Sequence, residues 1–258
     1  MKLLLSILLL FPFVLPSQDL TRFEKRTFTS ATGNTLSYRI LFPENYDRSK
    51  KYPVVLFLHG AGERGNDNEK QLTHGAKLFL APENQSNFPA IVVFPQCPAE
   101  SYWGSVTIDR TKTPFTFDFD YTRPEPEPLQ MAIALVKQIV AAEGVDKQRI
   151  YITGLSMGGM GTFEAVYRYP HLFAAAAPIC GGGDALHYDK RIRKIPFSIY
   201  HGDADSVVGV AESRRMVKKL NELKAAVRYK EFPGVNHNSW DHVFAEPDYL
   251  SWMFSKRR

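Results

Sequence analysis

Apolar and polar positions follow two rhythms along this chain. Short runs rich in Val, Ile and Phe, bounded by turn residues, predict strands over 27–32, 36–42, 54–58, 90–94, 150–153, 174–179, 197–200 and 227–232. Between most of them the apolar positions recur at helical spacing, predicting helices over 129–143, 157–169, 210–223 and 249–254. Alternating strand and helix predicts an α/β fold with a mainly parallel central sheet and helices on both faces. The first two strands flank Gly33-Asn34 and predict a leading antiparallel hairpin. Gly144 follows the helix 129–143 and reads as its C-terminal glycine cap. The segment 98–128 breaks the rhythm. It holds five prolines and the aromatics Tyr102, Trp103, Phe115, Phe117, Phe119 and Tyr121, and is read as a partial lid or substrate platform, or else a packed excursion.

The N-terminus has a different pattern. Lys2, the apolar run 3–15 and the helix-breaking Pro16-Ser17-Gln18 read as a cleavable export signal over 1–17, leaving one catalytic domain over 18–258. The run is too short to cross about 30 Å of hydrocarbon, and no second stretch is long enough. The expectation is a secreted or periplasmic protein with no stable membrane insertion after cleavage. The chain has 258 residues and a formal charge of +5, with basic residues clustered only at Lys256-Arg257-Arg258, which argues against nucleic-acid binding. In an oxidising compartment the two cysteines, Cys97 and Cys180, are permitted to form a bridge. Each follows a predicted strand, so whether they meet depends on how far apart the sheet sets those two strands.

Gly154-Leu155-Ser156-Met157-Gly158 matches G-x-S-x-G between a predicted strand and a predicted helix, the setting of a nucleophile elbow. A serine hydroxyl needs a base, and the base an orienting acid. Asp205 follows the strand 197–200 and His237 follows the last strand, giving the chain order nucleophile, acid, base. Asp203 and Asp184 are the competing acids, and His59, His187 and His242 the competing bases. The backbone N–H of Met157, after the nucleophile, and that of Ala61 in His59-Gly60-Ala61-Gly62 are the expected oxyanion donors, with Gly62 the alternative and a substrate-facing position. Trp103 is the best single candidate for stacking on a substrate ring, although the aromatics of 98–121 suit the wall of an apolar acyl pocket equally. The histidines and cysteines lack metal-site spacing and no nucleotide-binding motif occurs, so no metal and no cofactor are expected.

Leu58-His59-Gly60-Ala61-Gly62-Glu63-Arg64-Gly65, Pro95-Gln96-Cys97-Pro98, the serine motif with Gly159, and His201-Gly202-Asp203-Ala204-Asp205 together resemble the secreted esterase branch of the α/β hydrolases. That branch includes phospholipase/carboxylesterase-like, predicted-peptidase and feruloyl-esterase-like proteins, and the likeness runs over residues 24–254. The resemblance implies a triad of Ser156, Asp205 and His237, a two-step acyl transfer without a cofactor, and a small-molecule or polysaccharide-linked ester substrate, including acetyl or feruloyl esters of carbohydrates. Some relatives carry an additional N-terminal immunoglobulin-like domain, for which residues 18–45 leave no room. A serine peptidase on the same fold, or a binding protein on a hydrolase scaffold, is the alternative.

Overall fold

The computed structural model describes residues 19–258; the export-signal reading of 1–17 therefore lies outside the described residues. The strands are β1 (Glu24–Thr29), β2 (Thr35–Leu41), β3 (Tyr52–Leu58), β4 (Ile91–Pro95), β5 (Val106–Asp109), β6 (Thr116–Phe119), β7 (Val145–Leu155), β8 (Ala175–Ile179), β9 (Phe197–Gly202) and β10 (Val227–Phe232). Eight of them form one sheet in the order β1-β2-β4-β3-β7-β8-β9-β10, and β5 and β6 pair separately. β1 and β2 run antiparallel to their neighbours and every pairing from β4 to β10 is parallel.

The helices are α1 (Ala76–Leu80), α2 (Pro82–Asn87), α3 (Glu127–Ala142), α4 (Met157–Arg168), α5 (Ala211–Glu222), α6 (Ser239–Phe244) and α7 (Tyr249–Phe254). They cover both faces because the central strands are apolar on both. β3 is buried at every position. Its Val54, Leu56 and Leu58 pack with Leu129, Ile133 and Val136 of α3, Phe163 of α4 and Met216 of α5. Its Val55 and Phe57 pack on the other side with Phe79 of α1, Val243 of α6 and Leu250 and Met253 of α7. Burial of each such side chain contributes about 1.5–3 kcal/mol, so the centre of the sheet is the stable frame from which the loops at its carboxyl edge are hung. Among the described residues no helix is long and apolar enough to cross a membrane.

Three departures from the sequence reading have local causes. The first strand ends at Thr29 rather than running on to Thr32, because Ser30 exchanges backbone hydrogen bonds with Gly33 and Asn34 and its hydroxyl accepts from Asn34 N–H; the hairpin loop is longer than the two-residue turn. β7 begins at Val145, five residues early; Asp146 to Arg149 are polar, and pattern alone does not mark them as strand. Gly144 lacks the left-handed backbone of a cap. It is glycine because a Cβ there would collide with the carbonyl oxygens of Lys50 and Arg48, which run against it.

Cys97 follows β4 and Cys180 follows β8, with β3 and β7 between them, and both are free and buried. Burial pushes the Cys97 thiol up to about 12 and raises Cys180 as well. We expect native protein to resist thiol reagents at neutral pH, and denatured, unreduced protein to titrate both groups. One or no free thiol after denaturation would mean a bridge.

Candidate functional site

β3 and β7 are neighbours, with Leu58 opposite Gly154, so the loops leaving them emerge side by side. β4 lies on one side of β3 and β7 on the other, which makes their carboxyl ends a topological switch point, the usual ligand crevice of an open α/β sheet. Ser156 sits between β7 and α4 with φ 54° and ψ −118°, a strained conformation for a residue with a side chain. The turn is tight enough that a Cβ on Gly154 would come within 2.6 Å of Gly158 C and Leu58 O, and one on Gly158 would collide with Leu58 O. The strain is held by Ser156 N–H donating to Ile179 O at 2.9 Å and by α4 itself.

Ser156 Oγ lies 2.9 Å from His237 Nε2, and His237 Nδ1 lies 2.7 Å from Asp205 Oδ2. The loop after β10 carries His237 over the elbow, and the loop after β9 carries Asp205 beneath it. The other Asp205 oxygen accepts from the N–H groups of Val207 and Val208 at 2.8 and 2.9 Å. Burial by itself would raise the Asp205 carboxyl; the close approach of His201 and the hydrogen bond from His237 outweigh it and hold the group well below the usual carboxylate range. The carboxylate is therefore ionised wherever the protein is folded at ordinary pH.

A cavity of about 470 Å³ opens above this row. Ala61, Gly62, Ser156 and His237 line it, with Tyr102, Ile108, Phe115 and Phe117 forming an apolar wall and Arg64 and Arg110 at its side. Gly60 to Glu63 turn as a short 3₁₀ segment at the end of β3. Neither Ala61 N–H nor Met157 N–H has a hydrogen-bond acceptor among the described residues. Arg64 braces the turn, its Nε donating to Ala61 O at 2.9 Å while its guanidinium lies over the Tyr102 ring at 5.0 Å. A Cβ on Gly62 would meet nothing within 4 Å, consistent with a position that opens onto the cavity.

Trp103 departs from expectation. It is fully buried, donates Nε1 to His59 O at 3.1 Å, and packs its Cβ where any side chain on Gly161 would have to go. It anchors the segment to α4 and β3, and its neighbour Tyr102 faces the cavity instead. The rest of the segment 98–128 is a structured excursion: β5 and β6 form a hairpin whose Phe115 N–H donates to Val207 O at 3.0 Å, tying it to the loop that carries Asp205. Alternation in Phe115, Phe117 and Phe119 was the available signal for that hairpin. Glu164 of α4 holds its base, accepting from Ser105 N–H and, at 2.7 Å, Ser105 Oγ, and pairing with Arg168.

The competing residues have other partners. His59 is buried, donates Nδ1–H to Gly60 O at 2.6 Å and accepts Cys97 N–H on Nε2 at 2.9 Å; burial lowers it to about 4, so it stays neutral. Asp203 accepts Gly234 N–H at 2.6 Å and braces the turn before His237. Asp184 pairs with His187 at 2.5 Å and accepts Tyr121 N–H. His242 packs on Phe232. Among the described residues one grouping has metal-like donors: those of Cys180, Asp205 and His237 lie within 4.8 Å of one another. Asp205 and His237 are already each other's hydrogen-bond partners, and burial keeps the Cys180 thiol protonated.

The phospholipase/carboxylesterase family profile matches residues 45–246. A probable carboxylesterase of Oryza sativa subsp. japonica is 27% identical over 201 residues, covering 74% of this chain and 83% of its own. The crystal structure of a thermostable esterase superposes with a TM-score of 0.82 at 39% identity, over 92% of this chain; this chain spans only 64% of that one. A ferulic acid esterase from Anaeromyces mucronatus shares the fold, with a TM-score of 0.65 at 19% identity over 91% of this chain and 90% of its own. The chain thus belongs to the phospholipase/carboxylesterase family, and is a carboxylic ester hydrolase on the α/β-hydrolase fold.

Proposed function

We propose that ester hydrolysis in this protein runs through Ser156 as nucleophile, His237 as base and Asp205 as the acid that orients it. The observation that carries this reading is the continuous hydrogen-bond row from Ser156 Oγ through His237 to Asp205 at the floor of the cavity. His237 Nε2 takes the Ser156 proton as Oγ attacks the ester carbonyl. The carbonyl oxygen, now negative, falls to the free N–H groups of Ala61 and Met157, the latter at the positive end of α4. The tetrahedral centre collapses, and His237 returns the proton to the departing alcohol. Water then attacks the acyl carbon as His237 takes its proton; the bond to Oγ breaks, His237 returns the proton to Ser156, and the acyl group leaves as the carboxylic acid. No step calls on a cofactor.

The substrates we propose are short-acyl or feruloyl esters, including those linked to carbohydrate. Support comes from the apolar wall of Ile108, Phe115 and Phe117 beside the polar Arg64 and Arg110, and from the cavity's modest size. A panel of acetyl, butyryl, long-chain acyl, feruloyl and acetylated-xylan esters tests it. The expected result is turnover of acetyl, butyryl and feruloyl esters, with kcat/KM for long-chain esters down by about tenfold or more. Preference for the longest chains, or turnover of peptide amides above esters, would overturn it.

A further inference from the structure

His201 is the last-but-one residue of β9, fully buried, and takes no part in the steps above. Its Nε2 lies 3.2 Å from Asp205 Oδ2, the same oxygen that receives His237 Nδ1 at 2.7 Å. That Nε2 is also 2.8 Å from Val208 O. Both of these neighbours are acceptors, a carboxylate and a carbonyl, so Nε2 must carry a proton. Val208 N–H in turn donates to the other Asp205 oxygen. One imidazole N–H therefore holds the loop that supplies the carboxylate's backbone donors, and stands against the carboxylate itself. At the opposite side of the ring, Nδ1 lies 2.7 Å from Ser213 Oγ of α5, and that Oγ lies 2.9 Å from Gly181 O beside the nucleophile turn.

We infer that His201 is a positioning residue for this reaction: through its hydrogen bond to Val208 O and its close approach to Oδ2, it fixes the orientation in which the Asp205 carboxylate meets His237. The inference rests on Asp205 being the acid. Val207, Val208 and His237 donate to the carboxylate, and His201 Nε2–H stands 3.2 Å from the oxygen that His237 uses. Without His201 the loop of Val207 and Val208 loses its tie to the end of β9, and Oδ2 keeps His237 as its one close partner, so the carboxylate turns more easily about its backbone donors. An acid that swings lets the His237 ring swing, and catalytic geometry tolerates little such error. The loss has an electrostatic side as well. A carboxylate without that N–H dipole beside it is more basic and stabilises a neighbouring imidazolium better. The charged or titratable groups around His201 are Asp205 and His237 on the loops above it, Glu212 of α5 and Glu231 of β10, and Cys180 beside Asp205.

The test compares His201→Gln with His201→Leu. A glutamine Nε2 falls near the position of the histidine Nε2 and preserves the donor; leucine fills the space without one. We expect the leucine variant to lose about 30- to 100-fold in kcat on p-nitrophenyl acetate with KM within about twofold. We expect the acid limb of its kcat/KM profile to move up by about half a pH unit, and glutamine to restore kcat to within about fivefold of the parent. A merely structural role would lower Tm in both variants and leave the acid limb where it was, which overturns the inference. Because a buried leucine variant can misfold, nitrogen NMR of histidine-labelled parent protein provides an independent reading. His201 protonated on Nε2 supports the inference; Nε2 unprotonated overturns it. If instead Asp205→Asn retains full turnover, the assignment of the acid fails first, and the two failures are told apart.

Discussion

Ser156→Ala should abolish turnover, with kcat falling by about five to six orders of magnitude, while the protein unfolds at nearly the parent temperature. The chemistry supplies the first half. An alanine methyl offers no lone pair to the carbonyl carbon, so the reaction left over is direct attack by water, helped only by binding and by the Ala61 and Met157 N–H groups. The structure supplies the second half. Ser156 already has a positive φ of 54°, and its conformation is imposed by the close packing of Gly154 and Gly158 against the end of β3. Alanine inherits that strain without adding to it. The hydroxyl loses one hydrogen bond, to a partly exposed His237 that can turn to water instead. A fluorophosphonate should therefore label the parent once per chain and leave the variant unlabelled, with both showing cooperative melting. Turnover above about 1% of the parent would place the nucleophile elsewhere.

Much of this arrangement was legible in the chain, for identifiable reasons. The elbow is visible because its geometry admits few residues: only glycine fits at 154 and 158, and the serine lies between a strand and a helix that hydrophobic periodicity marks clearly. The order of Asp205 and His237 after successive strands follows from the parallel sheet, which brings every such loop to one edge. What escaped the reading depends on tertiary contact. Trp103 and Tyr102 are adjacent aromatics, and nothing in the sequence says which turns inward; the pocket above Gly161 takes the indole and sends the phenol to the cavity. His201 reads as part of a turn motif, and its tie to Asp205 appears only when the chain folds back four residues later. Gly144 shows the same limit: its position suits a helix cap, yet contact with residues 48 and 50 explains it. Local geometry is written locally, and choices between neighbours are made by the core.

Asp205→Asn should cost about four orders of magnitude in kcat with little change in KM, and the direction of the amide explains why. One Asp205 oxygen accepts two backbone N–H groups, from Val207 and Val208, so an asparagine must place its own oxygen there. Its NH₂ then occupies the other site, facing His237 Nδ1 at 2.7 Å. A donor in that place requires Nδ1 to be the acceptor, which moves the imidazole proton to Nε2. Nε2–H can no longer accept the Ser156 proton, and the base is in the wrong tautomer although every atom is nearly in place. Asp203→Asn, which keeps an oxygen for Gly234 N–H, and Asp184→Asn should each keep kcat within about tenfold of the parent; a collapse in either would reassign the acid. Stability provides a second, independent reading. The Asp205 carboxyl is held below its unfolded value of 3.8, so the folded state binds its proton less readily than the unfolded state does. The stabilisation from this group is complete above that unfolded value and is lost as pH falls below it toward the folded one. The Tm gap between parent and Asp205→Asn should thus be widest near neutral pH and narrow steadily below pH of about 4. A gap that stayed constant on acidification would mean that Asp205 is not the ionised, hydrogen-bonded carboxylate on which the base depends.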